Sequence, residues 1–175
     1  RQAGPHAHCA MFTPDGRYLC VVDLGVDRIF LYAASPKGIA RTAESVCALA
    51  PGSGPRHIAF SADGRLAFCA NELVSGVTVL RYDDGRLTPL ATCPTLPPDF
   101  TGVSYCAAVR VSPCGRFVYV SNRGYDSIAC YVLAGEILEL TGIVDSGGSF
   151  PRDFALTPDG RWLVCANERS DDVFT

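Results

Sequence analysis

The chain of 175 residues has few histidines (three), one methionine and one tryptophan, and its 15 basic residues do not outnumber its 18 acidic ones. A net charge of −3 gives no cationic surface for nucleic acid or an anionic membrane. No apolar run approaches the ~20 residues of a membrane helix, no signal-peptide pattern opens the chain, and no helical periodicity of useful length occurs. Nine cysteines are present but no CxxC pair, and three histidines make no convincing metal cluster. Neither a phosphate-binding glycine loop nor a Ser-His-Asp arrangement is legible. Metal, cofactor, nucleic acid and membrane therefore drop out of the expectations.

What is present is a repeat. Gly54 to Glu72, GPRHIAFSADGRLAFCANE, places two strand-like runs around an Asp-Gly turn, the signal of a β-hairpin. The pattern returns as AHCAMFTPDGRYLCVVDL from Ala7, CAAVRVSPCGRFVYVSNR from Cys106 and PRDFALTPDGRWLVCANE from Pro151. Its turn glycines, Gly16, Gly64, Gly115 and Gly160, stand 48, 51 and 45 residues apart, and periods of ~40–50 residues with many strands mark propeller blades. Third and fourth strand-like runs follow the hairpins, Arg28–Ala33, Gly76–Tyr82 with Leu87–Cys93, and Ser127–Leu133 with Ile137–Val144. Pro94–Gly102, with three prolines, is a loop. The expectation is an all-β propeller of four-stranded antiparallel blades, with residues 1–175 forming one partial domain. About three and a half blades cannot close a ring of ~4–8, so the missing blades of the same protein are an expected partner. Cys20, Cys69, Cys130 and Cys165 lie in strand-like runs. Cys69 and Cys165 share a repeat position with Val21 and Val120, which points to buried free thiols and a reducing, cytoplasmic setting.

Two columns, eight residues either side of each turn glycine, read His8, Arg56, Ala107, Arg152 and Leu24, Glu72, Arg123, Glu168. If each hairpin is symmetric about its turn, these columns face each other where the innermost strands begin, at one mouth of the propeller channel. His8, Arg56, Glu72 and Arg123 converge there, with Arg152 and Glu168 behind. The preceding column, Asp23, Asn71, Asn122 and Asn167, adds short polar groups. Arg56–Glu72 and Arg152–Glu168 read equally as cross-strand ion pairs. His57 lies outside the columns and reads as structural. His6 reaches the mouth as readily as His8, and Tyr105 reads as packing.

GPHAH, GPRH, NEL, SNRG and FPRDF, arriving in this order over essentially the whole chain, resemble the seven-bladed propeller lactonases, which include 6-phosphogluconolactonases of the cycloisomerase type and carboxymuconate cyclase. The resemblance implies a ring of seven blades and an active site of His8, Arg56, Glu72 and Arg123. It implies hydrolysis of a sugar lactone without metal or cofactor, with 6-phospho-D-glucono-1,5-lactone of the pentose phosphate pathway as the expected substrate. Glu72 suits a base that activates water, Arg56 and Arg123 suit an oxyanion, carboxylate or phosphate, and His8 suits a donor to the leaving oxygen. Asn71, Asn122, Arg152 and His6 are candidate substrate contacts. A lactone-forming cyclase and a non-catalytic interaction scaffold are the alternatives.

Overall fold

The computed structural model describes residues 2–175. Each repeat forms its own antiparallel sheet in simple up-and-down order. The first blade comprises β1 (Ala7–Phe12), β2 (Tyr18–Asp23) and β3 (Arg28–Ser35). Its fourth place is shared by two short pieces, β4 (Gly38–Ile39) and β5 (Ser45–Ala48), both paired with β3. The second blade is β6 (Pro55–Phe60), β7 (Leu66–Asn71), β8 (Gly76–Asp83) and β9 (Arg86–Pro94). The third is β10 (Tyr105–Val111), β11 (Phe117–Arg123), β12 (Ser127–Ala134) and β13 (Ile137–Asp145). The fourth holds β14 (Pro151–Leu156), β15 (Leu163–Asn167) and β16 (Asp172–Phe174).

The repeated turn explains the repeated sheet. Gly16, Gly64, Gly115 and Gly160 have φ of 69°, 71°, 73° and 69°, a conformation only glycine adopts without strain. Each glycine N–H donates back to the Thr or Ser three residues earlier, at 2.8 to 2.9 Å. In three of the turns the intervening aspartate, Asp15, Asp63 or Asp159, accepts from that Thr or Ser hydroxyl and from the N–H of the following arginine.

Apolar faces are buried between blades rather than within them. Cys20, Val22, Ile29 and Leu31 pack against Ile58, Cys69 and Leu80 at the first boundary. Phe68, Val77 and Val79 meet Val109, Val118 and Tyr131 at the second, and Ala108 and Ile128 meet Phe154 and Cys165 at the third. All nine cysteines are unpaired thiols. The first strands, β1, β6, β10 and β14, stand side by side, which gathers their starting ends. The described residues contain no helix long and apolar enough to cross a membrane. One 3₁₀ turn, Glu72–Val74, had no helical signal, and it is the element that carries the central carboxylate.

Candidate active site

The hairpins are not symmetric, and the asymmetry builds the site. In the second blade Pro55 pairs with Asn71 but His57 pairs with Ala70, so Arg56 is an extra residue in β6. The same irregularity falls at His8 in β1, between Cys106 and Val109 in β10, and at Arg152 in β14. A β-bulge re-aims the side chain it carries. Arg56 is thereby turned inward, 3% exposed, and donates from Nη1 to the carbonyl of Ala107 in the next blade at 2.7 Å.

Glu72 is not opposite Arg56 in the ladder, as a symmetric hairpin requires. It lies one residue past the end of β7, where its N–H donates to Gly54 O at 2.7 Å and that of Leu73 to Ser53 O at 3.1 Å. This turn swings the carboxylate over the blade boundary. Oε2 sits 2.9 Å from Arg56 Nε and 2.7 Å from Nη2 of Arg123, the last residue of β11. Arg123 also donates from Nη2 to Cys106 O at 3.0 Å. The nearest contact of each arginine falls on Oε2 and not on Oε1, as an ion pair in which the buried Arg56 Nε makes no hydrogen bond. Two buried guanidiniums facing one carboxylate leave a net positive site. Burial, and then the like charge of Arg123, push the Arg56 pKa down to about 10 against the opposing pull of Glu72.

The histidines join this cluster. The His8 ring lies 5.3 Å from that of His57 and 6.4 Å from that of His6, and its Nδ1 is buried with no hydrogen-bond partner. Burial, and then Arg56, hold the His8 pKa below the usual imidazole value. His57, which the column reading left outside, has Nε2 3.2 Å from Arg56 Nη1. Arg56 donates there and a neutral His57 accepts, in keeping with a pKa pushed down to about 4 by burial and by Arg56. The ring of short polar groups is buried, and only the Asn71 Oδ1 among their buried side-chain atoms lacks a hydrogen-bond partner. Asn122 is fully buried and spends its amide on Thr95 and Ser127, while buried Asn71 donates to Thr78 Oγ1 at 2.7 Å. Asp23 and Asn167 are buried alike. Arg152 pairs with Glu168 at 2.7 Å one blade further on, both half exposed, and His6 is exposed. Among the described residues no three His, Cys, Asp or Glu side chains gather as metal ligands.

Residues 1–175 match the model of the family described as lactonase, seven-bladed β-propeller. The chain belongs to the seven-bladed β-propeller lactonase family. It is 44% identical over 177 aligned residues to an uncharacterised Staphylococcus aureus (strain USA300) protein, which covers 100% of this chain and 51% of that one. A crystal structure of a Lactobacillus plantarum protein superposes with TM-score 0.94 at 40% identity, over 98% of this chain and 51% of the other. The periplasmic gluconolactonase PpgL of Pseudomonas aeruginosa superposes at 0.92 with 36% identity, over 98% and 50%. A candidate 6-phosphogluconolactonase of Bacteroides fragilis superposes at 0.91 with 33% identity, over 99% and 51%. The chain thus spans about half the length of the relatives it matches.

A third column stands ten residues before each turn glycine: His6, Gly54, Tyr105 and Phe150. In the first, second and fourth blades its carbonyl accepts the N–H of Leu24, Glu72 or Glu168. Tyr105, read as packing, is instead a partly exposed residue paired with Arg123. Three of the four members carry rings, a signal the sequence does hold once the bulge fixes the phase.

Proposed function

We propose that this stretch carries the catalytic face of a lactonase that opens a sugar lactone, with 6-phospho-D-glucono-1,5-lactone converted to 6-phosphogluconate as the favoured substrate. The supporting observation is the carboxylate of Glu72 held by two buried arginines from two blades, beside His8. Glu72 takes a proton from water through its less engaged oxygen. The resulting hydroxide attacks the lactone carbonyl, and Arg56 and Arg123 lower the energy of the oxyanion in a site of low dielectric. The ring C–O bond then breaks as the neutral His8 relays to the departing oxygen the proton that Glu72 took from water, which leaves both side chains as they began. His8 and Glu72 are near enough to feel each other's charge. The net positive site also suits the carboxylate that is released, and a phosphate on the substrate.

A reducing, cytoplasmic compartment suits the nine unpaired thiols. The test uses the full-length protein with the phosphorylated lactone, unphosphorylated gluconolactone and a carboxymuconolactone, each rate corrected for spontaneous opening. Turnover of the phosphorylated lactone that collapses in Glu72→Gln is the expected result. Preference for the carboxymuconolactone moves the reading to the cyclase type, and no turnover of any of them moves it to a scaffold.

A further inference from the structure

Phe150, at the head of the Phe-Pro-Arg-Asp-Phe motif, has no part in the core or in the chemistry above, yet its backbone is strained. Its φ is 68°, in the left-handed region that bulky side chains rarely enter. The equivalent residue of the second blade is Gly54, φ 61°. The equivalence rests on a shared bond, since Glu72 N–H donates to Gly54 O and Glu168 N–H to Phe150 O. The first blade makes the same bond at His6 without positive φ. The second and fourth add a further bond, Leu73 N–H to Ser53 O and Arg169 N–H to Ser149 O, and have positive φ, which glycine adopts without strain. A Cβ at Gly54 would lie 2.5 Å from Leu73 Cγ. The fourth blade has Arg169 in place of that leucine, and a phenylalanine in place of the glycine.

The surrounding structure holds Phe150 in this conformation. Its N–H donates to Asp126 Oδ1 at 2.8 Å, and its carbonyl accepts from Glu168 at 3.0 Å. Strain maintained against an available glycine is a mark of functional placement. The ring lies against two guanidiniums, 3.7 Å from Arg169 Cζ and 5.3 Å from Arg123 Cζ. Arg123 is the arginine that closes on Glu72, and its buried Nε has no hydrogen-bond partner. A ring face beneath a guanidinium carbon attracts the cation and limits where it can sit, while accepting none of the hydrogen bonds it makes to carboxylates.

We propose that Phe150 is a positioning residue for Arg123, holding the guanidinium over its ring so that its N–H groups meet both Glu72 and the anion of the substrate. The catalytic part of this rests on the lactonase reading above. Arg169 flanks the same ring and holds it in place from the rim.

The test compares Phe150→Gly and Phe150→Tyr with the full-length wild type. Removing the ring also removes the backbone strain, so the glycine variant should melt at the same temperature or higher. Its kcat should fall on the order of 10–100-fold, the usual effect of a slightly misplaced group, with KM within a few-fold. Phe150→Tyr should restore kcat. Unchanged kcat in Phe150→Gly overturns the proposal, and so does a parallel fall of kcat and melting temperature, which is the behaviour of a packing residue. The rate of phenylglyoxal modification at Arg123, read by mass spectrometry, gives a second measure independent of turnover. It should rise in Phe150→Gly, and an unchanged rate overturns the placement. If the wild type opens no lactone, the functional reading fails while this second measure still decides the geometry.

Discussion

Arg123 reaches Glu72 across a blade boundary, with Nη2 2.7 Å from Oε2, and the contact is nearly closed to solvent on the arginine side. Arg152 and Glu168 stand at the same distance within a single blade, but about half of each side chain is exposed. The two pairs have the same chemistry and opposite settings. An exposed pair is screened and contributes about 0–1 kcal/mol. Among the described residues the Glu72 carboxylate is the only acid in ion-pair contact with either buried arginine, so losing it leaves both unpaired.

Glu72→Gln in the full-length protein is therefore expected to lower kcat on the order of 10²–10⁴, the range of general base catalysis. It should also cost stability. The fully buried limit is about 3–5 kcal/mol, and the cost here is smaller because one-fifth of the Glu72 side chain is exposed. Glu168→Gln is the control and should leave turnover within a few-fold and the melting temperature nearly unchanged. Equal kinetic effects of the two substitutions would return Glu72 to a purely structural role.

The acid limb of stability should depend on His57. Its pKa in the fold is about 4, below the ordinary 6.5, so the unfolded chain takes up a proton first as pH falls. This contribution is complete above about pH 6.5 and is lost as pH falls toward 4, on the order of 3 kcal/mol at the limit. His8, shifted in the same direction, adds to the loss. His57→Gln should flatten the plot of melting temperature against pH across this window relative to wild type. Parallel curves would show that His57 is not held neutral beside Arg56.

Thiol reactivity should sort by burial. Cys114 is exposed and its pKa is lowered, chiefly by the Ser112 hydroxyl. Burial pushes Cys20 and Cys106 up to about 12 and Cys69 well above the usual thiol value. A disulfide-exchange reagent should label Cys114 fastest in the folded protein and all nine thiols in denaturant. Fewer than nine in denaturant would place the protein in an oxidising setting.

The third turn should be improvable. Cys114 stands where the other turns carry Asp15, Asp63 and Asp159, whose carboxylates accept from the neighbouring hydroxyl at 2.6, 2.6 and 2.5 Å. Cys114 keeps only a 3.3 Å approach of Sγ to Ser112 Oγ. Cys114→Asp should restore the turn and stabilise by about 0.5–1.5 kcal/mol, read as a higher denaturant midpoint with unchanged slope. A lower midpoint would show that the cysteine is favoured here by a contact of its own.

The blades were legible in the sequence because they are set by local chemistry. Four Gly-Arg turns with positive φ, each between apolar runs, dictate hairpins wherever they occur, and their period dictates the repetition. The identities of Arg56, Glu72 and Arg123 were legible too, since each repeat marks its own copy of the column. Their convergence at one mouth was legible as well, because the innermost strands begin there, but which atoms touch was not. A symmetric hairpin sets Glu72 against Arg56 in one blade and brings Arg123 to the same mouth, but it does not put the Arg123 guanidinium on the Glu72 carboxylate. The bulge at Arg56, the 3₁₀ turn at Glu72 and the packing of β10 against β6 are together responsible. These depend on backbone hydrogen bonds between segments distant in the chain, to which a periodic pattern of residue types is blind. For the same reason Asn71 and Asn122, polar and periodic in the sequence, were placed at the mouth, when blade-to-blade packing buries them in the wall. Phe150 shows the difference most plainly: its letter reads as one more apolar residue, and only the fold, by holding it at a glycine's φ against Arg123, gives it a role.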